Sequence, residues 1–304
     1  MSMISIIKDL MNGTSYSVKF LLESDIPKTI SRQGIKIRKL FSGVMRVIYL
    51  KQTDYKLVIE KQEKLGKAKK GRIFALNHRQ ADDIVLGVNA IGKSAYIVFG
   101  NPYLALETRN GLGLWAYGMI LMKRDDAYSR KAAYEKMKYV IEHGGNIIIY
   151  PEGYWNLADD GQADECHLAD GHNSESWLIQ DINIGILRLA KETGCEIVPT
   201  TLHYDEINGK RCYAHRGKVF RVGERDDIFA KKDELVHIMT NMYWELMEKY
   251  SQYSRVELEC EGKSLRQSWE ELVEQLRSAC DIERIGYRLD LSNEKRIGKA
   301  KVVH

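Results

Sequence analysis

The feature that most constrains this chain is a recurrence of short apolar runs separated by longer amphipathic stretches. YKLVIE (55–60), RIFAL (72–76), SAYIVF (94–99), NIIIY (146–150), EIVPTTL (196–202) and KVFRV (218–222) each have the length and β-branched content of a strand. Between them lie helical periods. In AYSRKAAYEKMKYVIEHGG (127–145) Ala133, Met137, Val140 and Ile141 share one face and Gly144 supplies a stop; DINIGILRLAKETG (181–194) is framed by Asp181 as N-cap and Gly194 as C-cap. Short strands that are apolar throughout must be covered on both sides. The pattern therefore predicts an α/β fold: a mixed, largely parallel sheet flanked by helices.

The ends depart from this alternation. GIKIRKLFSGVMRVIYLKQ (34–52) interleaves Lys36, Arg38, Lys39, Arg46 and Lys51 with Ile37, Leu40, Phe41, Val44, Val47 and Ile48, which is a basic amphipathic helix. Such a helix packs on its own core or lies on an anionic lipid surface. Residues 230–250 and 264–280 read as two further charged amphipathic helices. The expected organisation is an N-terminal amphipathic helical segment (1–52), an α/β domain (53–228) and a C-terminal helical appendage (229–304) in which no chemistry is visible. With 304 residues, the chain is long enough to bury a sizeable core. The formal charge of +4 is too mild to indicate nucleic acid as a partner. Five scattered cysteines without a CxxC pair favour a reducing compartment, and no apolar stretch reaches the roughly 20 residues of a spanning helix. The first 20 residues lack a basic leader and a small-residue cleavage site, so a cytoplasmic location is expected.

Chemistry concentrates where strands end. NHRQADD (77–83) follows directly on RIFAL, which puts His78 at the C-terminal edge of a sheet, where open α/β folds bind ligands. A neutral imidazole partnered by a carboxylate makes a general base at neutral pH. On a continuous helix the spacing favours Asp82 over Asp83 as that partner; with His78 in a loop before the helix, spacing does not choose. The bland alternative is a strand-end histidine beside two helix-capping aspartates. NIIIYPEGYWN (146–156) brings Glu152 and Gly153 to a second strand end, and GMILMKRDD (118–126) ends a third apolar run in Lys123 and Arg124, donors suited to phosphate. Pro199, inside EIVPTTL, marks an edge or a bulge.

In order and spacing these four segments resemble the glycerolipid acyltransferases that include the 1-acylglycerol-3-phosphate acyltransferases. The family's N-H-x-x-x-x-D block is similar to NHRQADD and maps onto His78 and Asp83; its glycine, apolar run and arginine fall on Gly118 and Arg124. F-P-E-G is matched at Pro151, Glu152 and Gly153, and the apolar run with an internal proline at Pro199. The resemblance covers about residues 55–225. It implies an O-acyltransferase of phospholipid biosynthesis with an acyl thioester, acyl-CoA or acyl carrier protein, as co-substrate, a lysophospholipid or related lipid as acceptor, and no cofactor or metal. His78 and Asp83 would be catalytic; Asn77, Gly118, Lys123, Arg124, Glu152, Gly153 and Pro199 would bind substrate. Lipid substrates further imply a peripheral position on the inner face of a membrane.

Two departures bear on the acceptor. Tyr154 and Trp155 stand where the family has threonine and arginine, and the polar segment 156–180 is longer than the usual connection, as a lid or a tolerated surface loop. That segment holds Asp164, Cys166, His167, Asp170 and His172, whose spacing matches no familiar metal-ligand pattern. The altered block also motivates an alternative: a lipid-binding or scaffolding relative of the same fold without turnover.

Overall fold

The computed structural model describes residues 30–79, 82–100, 102, 118–153, 178–179, 181–205, 209–251, 253–259 and 261–279. Seven strands form one sheet: β1 (Lys56–Gln62), β2 (Arg72–Leu76), β3 (Ala95–Phe99), β4 (Met119–Leu121), β5 (Asn146–Ile149), β6 (Glu196–Asp205) and β7 (Arg211–Arg216), in the order β1-β7-β6-β2-β5-β3-β4. From β6 to β4 all neighbours are parallel; β7 is antiparallel to β6, and β1 runs parallel to β7. The mixed, mostly parallel sheet is the one the pattern of apolar runs predicts.

Both sheet faces are covered, which is why β2 reads as unbroken apolar sequence. Phe74 and Leu76 face one core with Val85, Leu86, Ile91 and Tyr49, carried by α1 (Arg32–Leu50) and α2 (Asp83–Ile91). Ile73 and Ala75 face the other core, beneath α3 (Ala127–Glu142), α4 (Gly185–Thr193) and α5 (Ile228–Tyr250). Two-residue alternation along the strand sends successive side chains to opposite cores. The chain ends its described part in α6 (Arg255–Leu258) and α7 (Leu265–Ala279).

Several expectations are corrected. KVFRV contributes only an isolated bridge, Ile197 with Phe220; the strand beside β6 is RCYAHR, whose mixed polarity hid it. Pro199 lies in an interior strand, not at an edge, but at an irregularity: between the Ile197–Phe220 bridge and the Thr200–Arg216 pair, three steps along β6 face four on the other chain segment. Pro199 still accepts from the Gly217 amide at 2.9 Å, and its missing N–H falls where the ladder is broken. Helix α4 starts at Gly185, not at Asp181: Asn183 Oδ1 accepts from the Gly185 amide at 2.8 Å, while Asp181 pairs with Lys232 at 2.6 Å. Nor is α5 an appendage. Its Leu235, Met239, Tyr243, Trp244 and Met247 are buried in the core it shares with β2, β5 and β6, and Trp244 meets Trp269 of α7 edge-on at 5.3 Å. Residues 1–29, the tail beyond 279 and most of 156–180 lie outside the described residues; Leu178 and Ile179, at the end of that long segment, are buried in the core.

Candidate active site

Strands β2, β5, β3 and β4 are parallel neighbours, so their C-terminal ends lie side by side. His78 follows β2 in a non-helical segment, and Asp83 opens α2. The imidazole Nδ1 lies 2.8 Å from Asp83 Oδ2. That removes the helical-spacing argument for Asp82, which occupies the N-cap position and makes no side-chain capping bond. Asp83 is fully buried. Its Oδ2 also accepts from the Arg79 amide at 2.5 Å, its Oδ1 accepts from the Tyr204 hydroxyl, and its main-chain oxygen accepts from the Tyr150 hydroxyl at 2.6 Å.

Tyr150 also stacks on the His78 ring, centroids 4.5 Å apart. Burial and the negative charge of Asp83 push the hydroxyls of Tyr150 and Tyr204 well above the ordinary tyrosine range, so both remain donors at working pH. With Nδ1 committed to the carboxylate, the basic lone pair of the neutral ring belongs to Nε2, and the side chain keeps 17% of its surface exposed. This arrangement can take a proton from a hydroxyl and hold the resulting imidazolium against a buried carboxylate.

The other expected residues divide into two groups. Glu152, 6% exposed, accepts from the His78 amide at 2.9 Å, so β5 fixes the backbone of the base. Arg124 is exposed and donates to the Gly153 carbonyl, and it runs so close over Gly100 that a Cβ there would sit 2.4 Å from Arg124 Nε. Lys123 is held through its amide by Ser129 Oγ at 2.8 Å, in the first turn of α3. Glu152, Gly153 and Arg124 thus connect to His78 along the C-terminal edge of the sheet, and Lys123 follows the end of β4 on the same edge.

Asn77, Gly118 and Pro199 each make contacts within the scaffold. Asn77 is 1% exposed, donates to the Leu202 carbonyl at 3.0 Å and accepts from the Leu202 amide at 2.7 Å, which extends the β2–β6 ladder by one side chain. Gly118 has φ +65°, and a Cβ would meet the Arg38 guanidinium at 2.4 Å. Arg38 crosses there from α1 to the Ala95 carbonyl, 3.0 Å away, over the Tyr96 ring. The glycine lets that arginine pass.

Residues that sequence reasoning did not single out complete the site: Arg79, Tyr150, Tyr204 and Tyr243, whose hydroxyl accepts from Arg79 Nη1 at 3.0 Å. Tyr150 had a signal, since it stands in the place of the phenylalanine common in F-P-E-G. Tyr154, Trp155 and the ligand-type residues between 164 and 172 lie outside the described residues. Among the described residues no group of three or more His, Cys, Asp or Glu side chains is arranged to hold a metal.

A His–Asp pair at the end of the second strand of a mixed α/β sheet, backed by a Pro-Glu-Gly turn, has the geometry of a general-base site. Residues 56–203 match the family model described as Acyltransferase. Among solved structures, the chain is similar to the crystal structure of the 1-acyl-sn-glycerophosphate (LPA) acyltransferase PlsC from Thermotoga maritima. Identity is 15%, with 81% of this chain and 99% of that chain covered and a TM-score of 0.49. No curated protein matches.

Proposed function

We propose that the chain transfers an acyl group from a thioester, acyl-CoA or acyl carrier protein, to a hydroxyl of a lysophospholipid or related lipid. The observation that carries this reading is the His78–Asp83 pair at the sheet edge. Nε2 of His78 removes the acceptor proton as the hydroxyl oxygen attacks the thioester carbonyl. The tetrahedral intermediate collapses, the C–S bond breaks, and the leaving thiolate takes the proton back from the imidazolium. Asp83 stabilises that cation, and no covalent enzyme intermediate or cofactor enters. Arg124, with Lys123 beside it, is suited to an acceptor phosphate, and the Glu152–Gly153 turn shapes the acceptor end of the site.

A lipid acceptor calls for access to a membrane, and α1 supports it. Leu40, Phe41, Val44, Val47 and Ile48 are 45–73% exposed. At roughly 100° per residue they fall within an arc of about 120°. Lys36 lies just outside one edge of that arc and Lys51, the C-cap residue, falls in line with it, as suits an anionic lipid surface. No helix among the described residues is long and apolar enough to cross a membrane.

The test is thiol release from acyl-CoA in the presence of mixed lysolipids, with lipid products read by mass spectrometry. Wild type should acylate a lysolipid and a folded His78→Ala variant should not. Equal rates in the two would refute the mechanism, and a folded wild type silent with every donor and acceptor would favour the scaffolding alternative. Phe41→Glu should lower sedimentation with anionic vesicles; unchanged binding would remove α1 from the membrane face.

A further inference from the structure

We propose that Tyr204 is a positioning residue for the acid–base pair, pinning Oδ1 of Asp83 and so setting how tightly that carboxylate holds the His78 imidazolium. The inference rests on the reading of His78 as the base. The two carboxylate oxygens have separate duties: Oδ2 receives His78 Nδ1 and the Arg79 amide, and Oδ1 receives the Tyr204 hydroxyl. Without the hydroxyl, Oδ1 loses that donor and the terminal torsion of Asp83, which is soft, is held less firmly, so Oδ2 is less well placed on the imidazole. Tyr204 is itself braced. It lies on β6 beyond the end of β2, is paired with Cys212 across the antiparallel ladder, and its ring meets that of Tyr55 edge-on at 5.0 Å.

The groups around the carboxylate come from every neighbouring element. His78 and Arg79 approach from the loop after β2, Asp82 from the start of α2, Tyr150 from the end of β5, Tyr204 from β6 and Cys212 from β7. Burial drives the Tyr150 and Tyr204 hydroxyls and the Cys212 thiol upward, so all three stay protonated and Tyr204 donates throughout the working range. Tyr150 differs in kind: it donates to the main-chain oxygen of Asp83 and leaves the carboxylate alone.

A hydroxyl that donates to a carboxylate draws off part of its charge, so removing the donor strengthens its hold on an imidazolium while loosening its placement. Tyr204→Phe should therefore lower kcat for thiol release with acyl-CoA and lysophosphatidic acid by about ten-fold or more, the effect of one hydrogen bond to a charged group. Both KM values should stay within about two-fold, because no substrate contact is lost. The acid limb of the kcat/KM profile should move to higher pH, and Tyr150→Phe should leave that limb in place. Difluorotyrosine at position 204, a stronger donor of nearly the same size, should restore kcat and move the limb to lower pH. It also carries the test if Tyr204→Phe does not fold. A Tyr204→Phe protein with a lower Tm but wild-type kcat and acid limb would overturn the proposal, as would a difluorotyrosine protein with an unmoved limb. A wild type without turnover would remove the reading of His78 and this inference together. An inactive His78→Ala beside an unaltered Tyr204→Phe would remove this inference alone.

Discussion

Replacing each aspartate of the NHRQADD segment in turn separates catalysis from capping. Asp83→Asn keeps the shape of a side chain that is fully buried and accepts from His78 Nδ1, the Arg79 amide and the Tyr204 hydroxyl. Its carbonyl can serve Nδ1 and the Arg79 amide, and its NH2 can face Tyr204, whose hydroxyl can turn to accept. What is lost is the negative charge beside the forming imidazolium. With charge centres about 4 Å apart and an effective dielectric of about 20, that attraction is about 4 kcal/mol. Since the ground-state imidazole is neutral, the loss falls on the transition state and lowers kcat by about 10³-fold. Asp82→Asn touches a partly buried N-cap whose side chain makes no capping bond and lies outside the set that holds Nδ1, so about two-fold is the expected ceiling. Initial rates of thiol release at saturating acyl-CoA and acceptor measure both, below the Tm of each variant. If Asp82→Asn were the more damaging, or the two equal, the assignment of the carboxylate would be refuted.

Three further outcomes follow from the scaffold around the pair. Burial, with the Arg79 guanidinium nearby, pushes His203 down to about 4 from 6.5, Asp205 and a Tyr250 backbone bond opposing. The unfolded chain takes up a proton below pH 6.5 and the folded one only near 4, so stability present above 6.5 is lost as pH falls across that window, by about 3 kcal/mol. The Tm of His203→Phe should fall less steeply there, and a parallel Tm profile would refute the reasoning. Gly118→Ala combines a positive φ with a Cβ at 2.4 Å from the Arg38 guanidinium and should lose about 2–3 kcal/mol in denaturant unfolding; an unchanged midpoint would show that Arg38 moves aside freely. Asn77→Ala strands the buried Leu202 amide and carbonyl and should lose about 2–4 kcal/mol; a loss under about 0.5 kcal/mol with a raised acceptor KM would return Asn77 to the substrate pocket.

The parallel core was legible because local signals and burial agree there. RIFAL, SAYIVF and NIIIY are apolar on both faces, and the sheet covers both faces, so run length located β2, β3 and β5 to within a residue. The antiparallel flank was not. RCYAHR carries charge because Arg216 reaches back to the Ile91 carbonyl at 3.1 Å and Arg211 sits exposed at the strand's start, a tertiary arrangement that no local period encodes. KVFRV misled for the opposite reason: its apolar side chains pack, but the broken ladder at Pro199 leaves only one bridge.

The site divides along the same line. His78, Glu152 and Arg124 announce themselves because a charged or titratable side chain directly after an apolar strand marks the sheet edge. The residues that fix their geometry are tyrosines and an amide, and these look like core. Tyr204 falls 121 positions from Asp83 and is brought to it only because β6 runs past the end of β2 to pair with β7. The choice of Asp83 over Asp82 has the same origin. Spacing assumes a continuous helix, whereas the turn between β2 and α2 lets the first helical residue face back on the strand end. A two-residue dyad is thus written locally in NHRQADD, while the hydroxyl that orients it comes from the antiparallel flank, so substitutions in β7 that disturb the Tyr204–Cys212 pairing should act on kcat before they act on substrate affinity.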